Sequence, residues 1–409
     1  MLTKLPDNLH CLRIGATSLA ALKAKKQSCL RKITSDKSIE PADFNHYPYR
    51  FTKFYQCKSE LIPALQQEQS ALKDQKICLL FSGQGSQYAG MGKEYFIPSH
   101  PAYACMQKIC GHLNQHYQLD LAPLLCTNSE LNHQSIQQTL YSQTTLMTLE
   151  YSQATLWEKL GLQADYMIGH SIGELIACIS AGMYTLEQGL ELVTTRAQYM
   201  QSCSQQGSML AVFADSAVLA PLLKNSNLTI AGYNSPTQTV ISGDNEEIIA
   251  FEKRCKAVAI RYSKLAVSHA FHSPLMQSSA QQWIDHLDPK VLQAQPSILP
   301  VKIIRNVDNA VANATNTNLN YWQQHITAAV RFQQAVQLAH QQKCTLFIEC
   351  GPQPILTTLS KKILAGQPIT CLSSAKKSAP GLTTLLHAAA IVDSHYQALN
   401  WQNLLREAH

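Results

Sequence analysis

Several features that define other protein classes are missing from this chain of 409 residues. No apolar run approaches the ~20 residues that a membrane-spanning helix needs, and the first residues carry no signal-peptide core. The 13 cysteines form no Cys-x-x-Cys pair and have no histidines at metal-ligand spacing, which predicts reduced thiols and no metal centre. No block of lysine and arginine resembles a nucleic-acid-binding arm. We therefore expect a cytoplasmic protein that binds no metal, membrane or nucleic acid.

The composition fits a soluble globular protein, because 45% of the residues are hydrophobic and 15% are charged. The length allows two domains or one large α/β unit with additions. The formal net charge of +6 is modest. A mildly basic surface would suit an acidic partner or a phosphorylated substrate.

Residues 169–173, Gly-His-Ser-Ile-Gly, are the most informative stretch. An apolar run at 166–168 precedes them and a helix-like segment at 174–179 follows, which predicts a strand, a tight turn and a helix. Such an elbow lifts the hydroxyl of Ser171 out of the sheet, and the amides at the start of the helix suit a developing oxyanion. By itself, the pattern fits either an ordinary glycine-serine turn or a nucleophile.

The chain around this elbow has an α/β rhythm. A small α/β module over residues 1–75 comes first. Its predicted elements are a strand and two helices, at residues 9–16, 17–33 and 58–72. A continuous apolar run at 77–81, suited to a buried parallel strand, opens the main unit and leads into a glycine-rich loop at 82–87. Helical periodicity at 145–160 precedes the elbow.

Residues 207–268 have a different rhythm. The segments predicted as strand, helix, strand, strand, helix and strand are 208–213, 216–223, 228–231, 238–242, 244–256 and 257–267. This βαββαβ order is typical of a ferredoxin-like unit. Strand-like residues at 303–304 and 345–348 restore the α/β rhythm afterwards, so the unit is predicted to be an insertion.

A serine nucleophile needs a base, and the sequence offers 15 histidines. Residue type alone does not choose among them. His272 stands out because residues 268–274 form a dense polar and aromatic loop at the junction after the inserted unit. Domain junctions are favoured places for ligand clefts.

Several separate motifs resemble, in order and spacing, those of the malonyl-type acyltransferase family. This family comprises the malonyl-CoA:acyl-carrier-protein transacylases of fatty-acid synthesis and the acyltransferase domains of polyketide synthases. The matching segments are residues 81–87, 169–174, 234–243, 269–273, 306–308 and 349–352. The resemblance covers residues 76–372 nearly end to end. It implies an α/β-hydrolase-like core with a parallel sheet and an inserted ferredoxin-like subdomain.

The flanking residues resemble the linkers on either side of acyltransferase domains in modular polyketide synthases. Compact bacterial transacylases lack both linkers, so this resemblance favours polyketide-type biosynthesis. The implied division has a linker domain, a large subdomain in two parts around a small one, and a polar linker with a helical tail. In that order along the chain, these are residues 1–75, 76–206, 207–268, 269–372 and 373–409.

The resemblance also implies a Ser–His dyad. Ser171 would attack a thioester carbonyl, and His272 would take its proton and later activate a pantetheine thiol. The family orients this histidine with a main-chain carbonyl rather than a carboxylate, and His325 aligns with the residue that supplies it. A Pro-Val pair usually follows in the family, whereas residues 329–330 here are Ala-Val.

Other groups match the family's substrate site. The amides of Gln84 and Ile172 match the oxyanion donors. Arg196 matches the arginine that pairs with the malonyl carboxylate, and its planar fork suits a bidentate contact. A solvated helix surface is the ordinary interpretation of an arginine at an arbitrary position. Gln143 matches a polar residue near the site, with a surface-helix glutamine as the alternative.

The loop that carries His272 resembles the version associated with malonyl rather than methylmalonyl groups. Phe271 would fill the space beside the substrate α-carbon and exclude a methyl group, a preference of only ~1–3 kcal/mol. A packed core aromatic is the alternative interpretation. His269 in this loop and His170 in the elbow are also expected to line the substrate site.

The leading hypothesis is therefore an acyltransferase that loads malonyl from malonyl-CoA onto Ser171. It has no tightly bound cofactor, and its partner is an acyl carrier protein whose phosphopantetheine accepts the group. A ketosynthase or other polyketide synthase modules are further expected partners. Three alternatives are an acyl hydrolase on the same fold, a non-catalytic scaffold and a Ser-His-Asp esterase. The arginine at position 196 argues against the hydrolase and the esterase.

Overall fold

In the computed structural model, the chain folds into an N-terminal two-stranded ribbon, a five-stranded sheet and a four-stranded sheet. The structure describes residues 9–35, 47–68, 75–288, 293–296, 298–379 and 381–402. Within these ranges, no helix is both long and apolar enough to cross a membrane. The same ranges hold no group of three or more histidines, cysteines or acidic residues placed to bind a metal ion.

The N-terminal module pairs two antiparallel strands and covers them with helices. Its elements are β1 (His10–Ala16), α1 (Leu19–Thr34), β2 (Tyr49–Tyr55) and α2 (Leu61–Gln66). Ser18 caps α1, because its hydroxyl accepts a hydrogen bond from the amide of Ala21 at 3.1 Å. The helix predicted over 58–72 is shorter in the structure, since Gln67 takes an extended backbone and ends α2. Residues 69–72 lie outside the described residues.

The first part of the main unit has two buried strands among six helices. Its elements are β3 (Lys76–Phe81), α3 (Tyr103–Tyr117), α4 (Ala122–Cys126), α5 (Glu130–Ser135), α6 (Thr139–Lys159), β4 (Tyr166–Gly169), α7 (Ile172–Ser180) and α8 (Leu186–Gln201). α6 begins at Thr139, before its predicted start at residue 145. Its first turns bury polar residues whose hydroxyls bond within the helix, as Thr144 does to the carbonyl of Leu140 at 2.7 Å. Apolar periodicity does not detect such turns.

The four-stranded sheet is antiparallel and has the predicted βαββαβ order. Its elements are β5 (Ser208–Val212), α9 (Ser216–Leu223), β6 (Thr229–Ser235), β7 (Gln238–Gly243), α10 (Asn245–Ala257) and β8 (Tyr262–Lys264). The strands lie in the order β6-β7-β5-β8. The strand predicted over 257–267 is shorter, because α10 continues to Ala257 and Ala259 turns the chain with a φ of 55°.

The remaining elements complete a parallel five-stranded sheet. They are α11 (Gln277–His286), β9 (Lys302–Ile304), α12 (Leu319–Thr327), α13 (Phe332–Gln341), β10 (Cys344–Cys350), α14 (Ile355–Ile363), β11 (Thr370–Ser373) and α15 (Gly381–His395). The strand order is β11-β10-β3-β4-β9, and every neighbouring pair is parallel. The predicted α/β class with a parallel sheet is confirmed. The carboxyl ends of β3, β4, β9 and β10 meet at one edge, where open α/β sheets bind ligands.

A buried polar contact joins the N-terminal module to α15. Thr52 donates from its amide to the hydroxyl of Ser394 at 2.8 Å and from its own hydroxyl to the carboxylate of Asp393 at 2.5 Å. The amide of Leu399 also donates to Asp393 at 3.0 Å, and Nε of Arg50 lies 3.8 Å from the same oxygen. Asp393 is 2% exposed. The ends of the described chain are thus fastened to each other, and the division into domains remains a prediction.

The Asp393→Ala substitution should lower the free energy of unfolding by about 3 kcal/mol, because it leaves the buried donors of Thr52 and Leu399 without their acceptor. Urea unfolding followed by tryptophan fluorescence measures this loss. Asp285→Ala removes an exposed aspartate on α11 and is the control, expected to change stability by no more than about 0.5 kcal/mol. Equal effects of the two substitutions would show that Asp393 does not hold the module in place.

Candidate active site

The elbow predicted from residues 169–173 is a sharp turn between β4 and α7. Ser171 occupies its apex with a φ of 53° and a ψ of −120°, a conformation that side-chain-bearing residues rarely adopt. A Cβ atom on Gly169 would overlap the backbone of α7, and one on Gly173 would overlap the end of β3. The two glycines therefore permit the close approach of strand and helix that exposes the serine hydroxyl.

His272 connects this serine to a main-chain carbonyl. Its Nε2 lies 2.8 Å from Oγ of Ser171, and its Nδ1 lies 2.9 Å from the carbonyl oxygen of Ala328. Because a carbonyl only accepts, Nδ1 carries the proton, and Nε2 accepts from the serine hydroxyl. The arrangement can move the serine proton to the imidazole. It differs from a Ser-His-Asp esterase, in which a carboxylate holds Nδ1.

The prediction that His325 supplies the orienting carbonyl is wrong. α12 ends at Thr327, and Ala328 is the first residue with an extended backbone (φ −83°, ψ 155°), so its carbonyl leaves the helix direction. His325 still lies in the last helical turn. Its ring sits edge-on to that of His272, with centroids 6.3 Å apart. The 2.9 Å contact forms although residues 329–330 are Ala-Val rather than Pro-Val.

The surroundings of His272 favour its neutral form. Burial holds the pKa of its imidazole well below the ordinary value of 6.5, and the nearby His325 and Arg196 lower that pKa further. The hydrogen bond to the carbonyl of Ala328 acts in the opposite direction. A neutral imidazole at physiological pH is the form that can accept a proton.

Arg196 on α8 is a buried cation whose hydrogen-bonding capacity is only partly used. Its side chain is 0% exposed, and its Nη1 donates to Oε1 of Gln143 at 2.7 Å. Among the described residues, its Nε and Nη2 have no hydrogen-bond partner. Burial lowers the pKa of the guanidinium to about 9, while the charge of Glu174 opposes that shift. Arg196 therefore stays charged at neutral pH, and a carboxylate is the group that best completes such a fork. Gln143 is 1% exposed, which rules out a surface glutamine.

The two predicted oxyanion donors lie at the same sheet edge. Ile172 is the first residue of α7, and Gln84 follows the end of β3. Over the part of the chain that the structure describes, no hydrogen bond uses either amide. Both N–H groups can therefore donate to a new acceptor, and the positive end of α7 favours an acceptor that carries negative charge.

Three further predicted residues have defined contacts near the dyad. Nε2 of His170 lies 2.9 Å from Oδ1 of Asn234 on β6. Nε2 of His269 lies 3.0 Å from the carbonyl of Cys203, and Phe271 is buried with its ring centroid 5.9 Å from that of His269. Their roles toward a substrate stay predictions.

Asn306 is a residue of this site to which the sequence assigned no role. Its Oδ1 accepts from the amide of Ser171, and its Nδ2 donates to the carbonyl of Gly169, both at 2.8 Å. Residues 306–308 match the family motifs, but a motif match gives no contact. The one indication in the sequence is that Asn306 follows a predicted strand. Neighbouring parallel strands end at the same edge of a sheet, which places Asn306 on the same side as Ser171.

Comparison with known proteins agrees with this geometry. The family model described as acyl transferase domain matches residues 78–395. Mycoketide-CoA synthase of Mycobacterium tuberculosis is 32% identical over 334 residues, which are 81% of this chain and 8% of that protein. A phenolphthiocerol synthesis polyketide synthase of Mycobacterium marinum is 30% identical over 329 residues, 80% of this chain and 15% of that protein. The chain thus spans a small part of the length of these relatives.

Two solved structures have a similar fold, one over nearly the whole chain and the other over about four fifths of it. The acyltransferase domain from the second module of the salinomycin polyketide synthase is 25% identical with a TM-score of 0.74, and the match covers 97% of this chain and 85% of that one. The malonyl CoA-acyl carrier protein transacylase of Coxiella burnetii is 27% identical with a TM-score of 0.67, covering 79% and 98%.

The pH profile of Ser171 reactivity should reflect the buried His272. We expect the rate of labelling by a fluorophosphonate to stay constant as the pH falls through 6.5, the ordinary histidine pKa, and to decline only at lower pH. The lowered pKa of His272 also makes the stability of the fold depend on pH. The unfolded histidine binds a proton at higher pH than the folded one, so the free energy of unfolding falls as the pH drops below 6.5.

Labelling is measured by intact-protein mass spectrometry across the pH series, with circular dichroism at each pH to verify the fold. Ser171→Ala is the control and should take up no label. A midpoint at or above pH 6.5 would contradict a base whose pKa is lowered by burial.

Proposed function

The chain belongs to the acyl transferase domain family, and from this premise we propose that it moves a malonyl group from malonyl-CoA to the phosphopantetheine thiol of an acyl carrier protein. The group would be carried as an ester on Ser171. The polyketide synthases among its relatives support a place in polyketide biosynthesis, with fatty-acid biosynthesis as the related setting.

Arg196 is the observation that carries the malonyl assignment. A buried guanidinium with two unpartnered nitrogens is unfavourable unless an anion completes it. Malonyl differs from acetyl by a carboxylate, and that carboxylate would accept from Nε and Nη2 while Gln143 holds Nη1. The guanidinium is close enough to lower the pKa of His272. The anion would therefore sit near the reacting serine.

In the loading step, Oγ of Ser171 attacks the thioester carbonyl while its proton moves to Nε2 of His272. The carbonyl oxygen becomes an oxyanion, which the amides of Gln84 and Ile172 would stabilise by on the order of 3 kcal/mol each. The tetrahedral intermediate then collapses. The C–S bond breaks, the sulfur of CoA leaves with the proton from the imidazole, and malonyl remains as an ester on the serine.

In the transfer step, the pantetheine thiol attacks the ester carbonyl and gives its proton to Nε2 of His272. The same amides would hold the second oxyanion. The C–O bond to Ser171 then breaks, and the imidazole returns the proton to the serine oxygen. The enzyme ends as it began, and the hydrogen bond from Nδ1 of His272 to Ala328 would keep the ring oriented through both steps.

Phe271 would set the preference at the α-carbon of the acyl group. Its buried ring precedes His272 in the chain and packs beside His269, whose own nitrogens are bound to Ser268 and Cys203. A ring held in this way would clash with an added methyl group. The preference for malonyl over methylmalonyl should be modest, because one methyl group is worth only ~1–3 kcal/mol.

The decisive assay supplies malonyl-CoA together with a carrier protein bearing phosphopantetheine. We expect malonyl on the carrier protein to be the main product, because the ester on Ser171 would be consumed faster by a thiol than by water. Mass spectrometry of the carrier protein and chromatography of free malonate quantify the two products. Predominant free malonate would show the hydrolase instead, and absence of a malonyl adduct on Ser171 would favour a non-catalytic scaffold.

Arg196→Ala should remove the preference for malonyl-CoA over acetyl-CoA as a loading substrate. Loss of a charge-assisted contact to a carboxylate costs about 1.5–3 kcal/mol, so malonyl loading should fall by roughly 10- to 10²-fold while acetyl loading does not fall. The ratio of loading rates is read from the two adducts on Ser171. Arg31→Ala, on the exposed face of α1, is the control and should keep the preference. A retained preference in Arg196→Ala would refute the assignment.

A further inference from the structure

A single side chain spans the serine turn. Asn306 follows β9, the strand beside β4, and is 1% exposed. It accepts from the amide of Ser171 and donates to the carbonyl of Gly169, so it holds the backbone on both sides of the turn. A primary amide is suited to this task because it donates and accepts at once. The two contacts fix a turn whose central residue has an unfavourable φ of 53°.

Glu174 fixes Asn306 in turn. This carboxylate lies in the first turn of α7 and is 0% exposed. Its Oε2 accepts from the backbone amide of Asn306 at 2.6 Å, and its Oε1 accepts from the hydroxyl of Tyr321 at 2.5 Å. Nε2 of His325 also lies 3.4 Å from Oε2. A buried carboxylate needs several donors, and these come from two different parts of the chain.

The second of these parts is α12, the helix that holds the histidine. Tyr321 and His325 both belong to α12. Ala328 follows the last residue of the helix, and its carbonyl accepts from Nδ1 of His272. The carbonyl of Ile326 accepts from the backbone amide of His272 at 3.1 Å. Glu174 thus lies between the turn that carries the serine and the helix end that orients the histidine.

We propose that Asn306 and Glu174 are positioning residues that set the 2.8 Å contact between Ser171 and His272. Asn306 holds the serine in its strained conformation, and Glu174 fixes this assembly relative to α12. The inference rests on the proposed roles of the dyad as nucleophile and base, but not on the identity of the acyl group. Misplacing a reacting atom by about 1 Å costs about 10²-fold in rate, so this network would act on rate rather than on substrate binding.

Asn306→Ala, Tyr321→Phe and the double variant test the proposal. The readout is labelling of Ser171 by a fluorophosphonate, in which Oγ bonds to phosphorus, fluoride leaves and the proton passes to His272. We expect labelling to slow by about 10²-fold in Asn306→Ala and by about 10-fold in Tyr321→Phe. The labelling rate of the double variant should fall by less than the product of the two single-variant factors. Both substitutions interrupt the same link between the serine turn and α12. Asn114→Ala, on the exposed face of α3, is the control and should label normally.

Comparing the effect on the maximal loading rate with the effect on KM separates a positioning role from a loss of the fold. With whichever acyl-CoA loads the wild-type protein, Asn306→Ala should lower the maximal loading rate and leave KM unchanged, because the hydrogen bonds of Asn306 go to Ser171, Gly169 and Glu174 and not to Arg196 or Gln143. Rates are expressed per folded molecule, using circular dichroism and thermal unfolding. Normal labelling, a loss explained by the unfolded fraction, or fully multiplicative effects of the two substitutions would each overturn the proposal.

The fluorophosphonate keeps this test independent of the proposed substrate. If the wild-type protein labels at Ser171 but does not load malonyl, the malonyl assignment fails while the positioning test remains valid. If malonyl loads and the Asn306 variants behave as the wild type, only the positioning role fails.

Discussion

A serine with a φ of 53° joins β4 to α7, and the arrangement of the surrounding elements follows from this residue. A non-glycine residue in that region costs about 1–3 kcal/mol and persists only where its neighbours leave no alternative. Glycines at 169 and 173 allow α7 to lie against β3 and β4, and Asn306 is hydrogen-bonded on both sides of the turn. His272 is strained in the same way, with a φ of 56°. Both members of the dyad therefore depend on the rigid packing around them.

Charge burial is the second constraint on this molecule. Arg196, Glu174 and His272 are each at most 5% exposed, although ionisable groups prefer water. Glu174 accepts hydrogen bonds from Asn306, which follows β9, and from Tyr321 on α12, whereas Arg196 keeps Nε and Nη2 without a partner in the described structure. An unsatisfied buried cation lowers stability, so packing alone does not account for it. In the function proposed above, the carboxylate of the substrate would offset this loss of stability, as the stability–function trade-off predicts.

The sequence reveals those parts of the fold that depend on local patterns. Apolar runs at 77–81 and 166–168 identify two central strands, because parallel strands are buried on both faces. The turn at Ser171 follows from its flanking glycines. The carbonyl of Ala328 could not be found in this way, since every residue has a carbonyl and only the end of α12 decides which one points at His272. The pairing of Asn306 with Ser171 joins residues far apart in the chain, and no local pattern encodes it.

The segment that orients His272 is also hydrogen-bonded to β6, an edge strand of the four-stranded sheet. Val330 accepts from the amide of Tyr233 and donates to the carbonyl of Ala231, both at 2.9 Å, so it pairs with β6 only two residues after Ala328. In the family a proline usually occupies position 329 and restricts the backbone there. Here the two hydrogen bonds of Val330 fix the direction of the chain instead. This explains why alanine at 329 leaves the contact to His272 intact. A shift of the four-stranded sheet would move the carbonyl of Ala328 as well, so the position of this sheet and the geometry of the dyad are coupled.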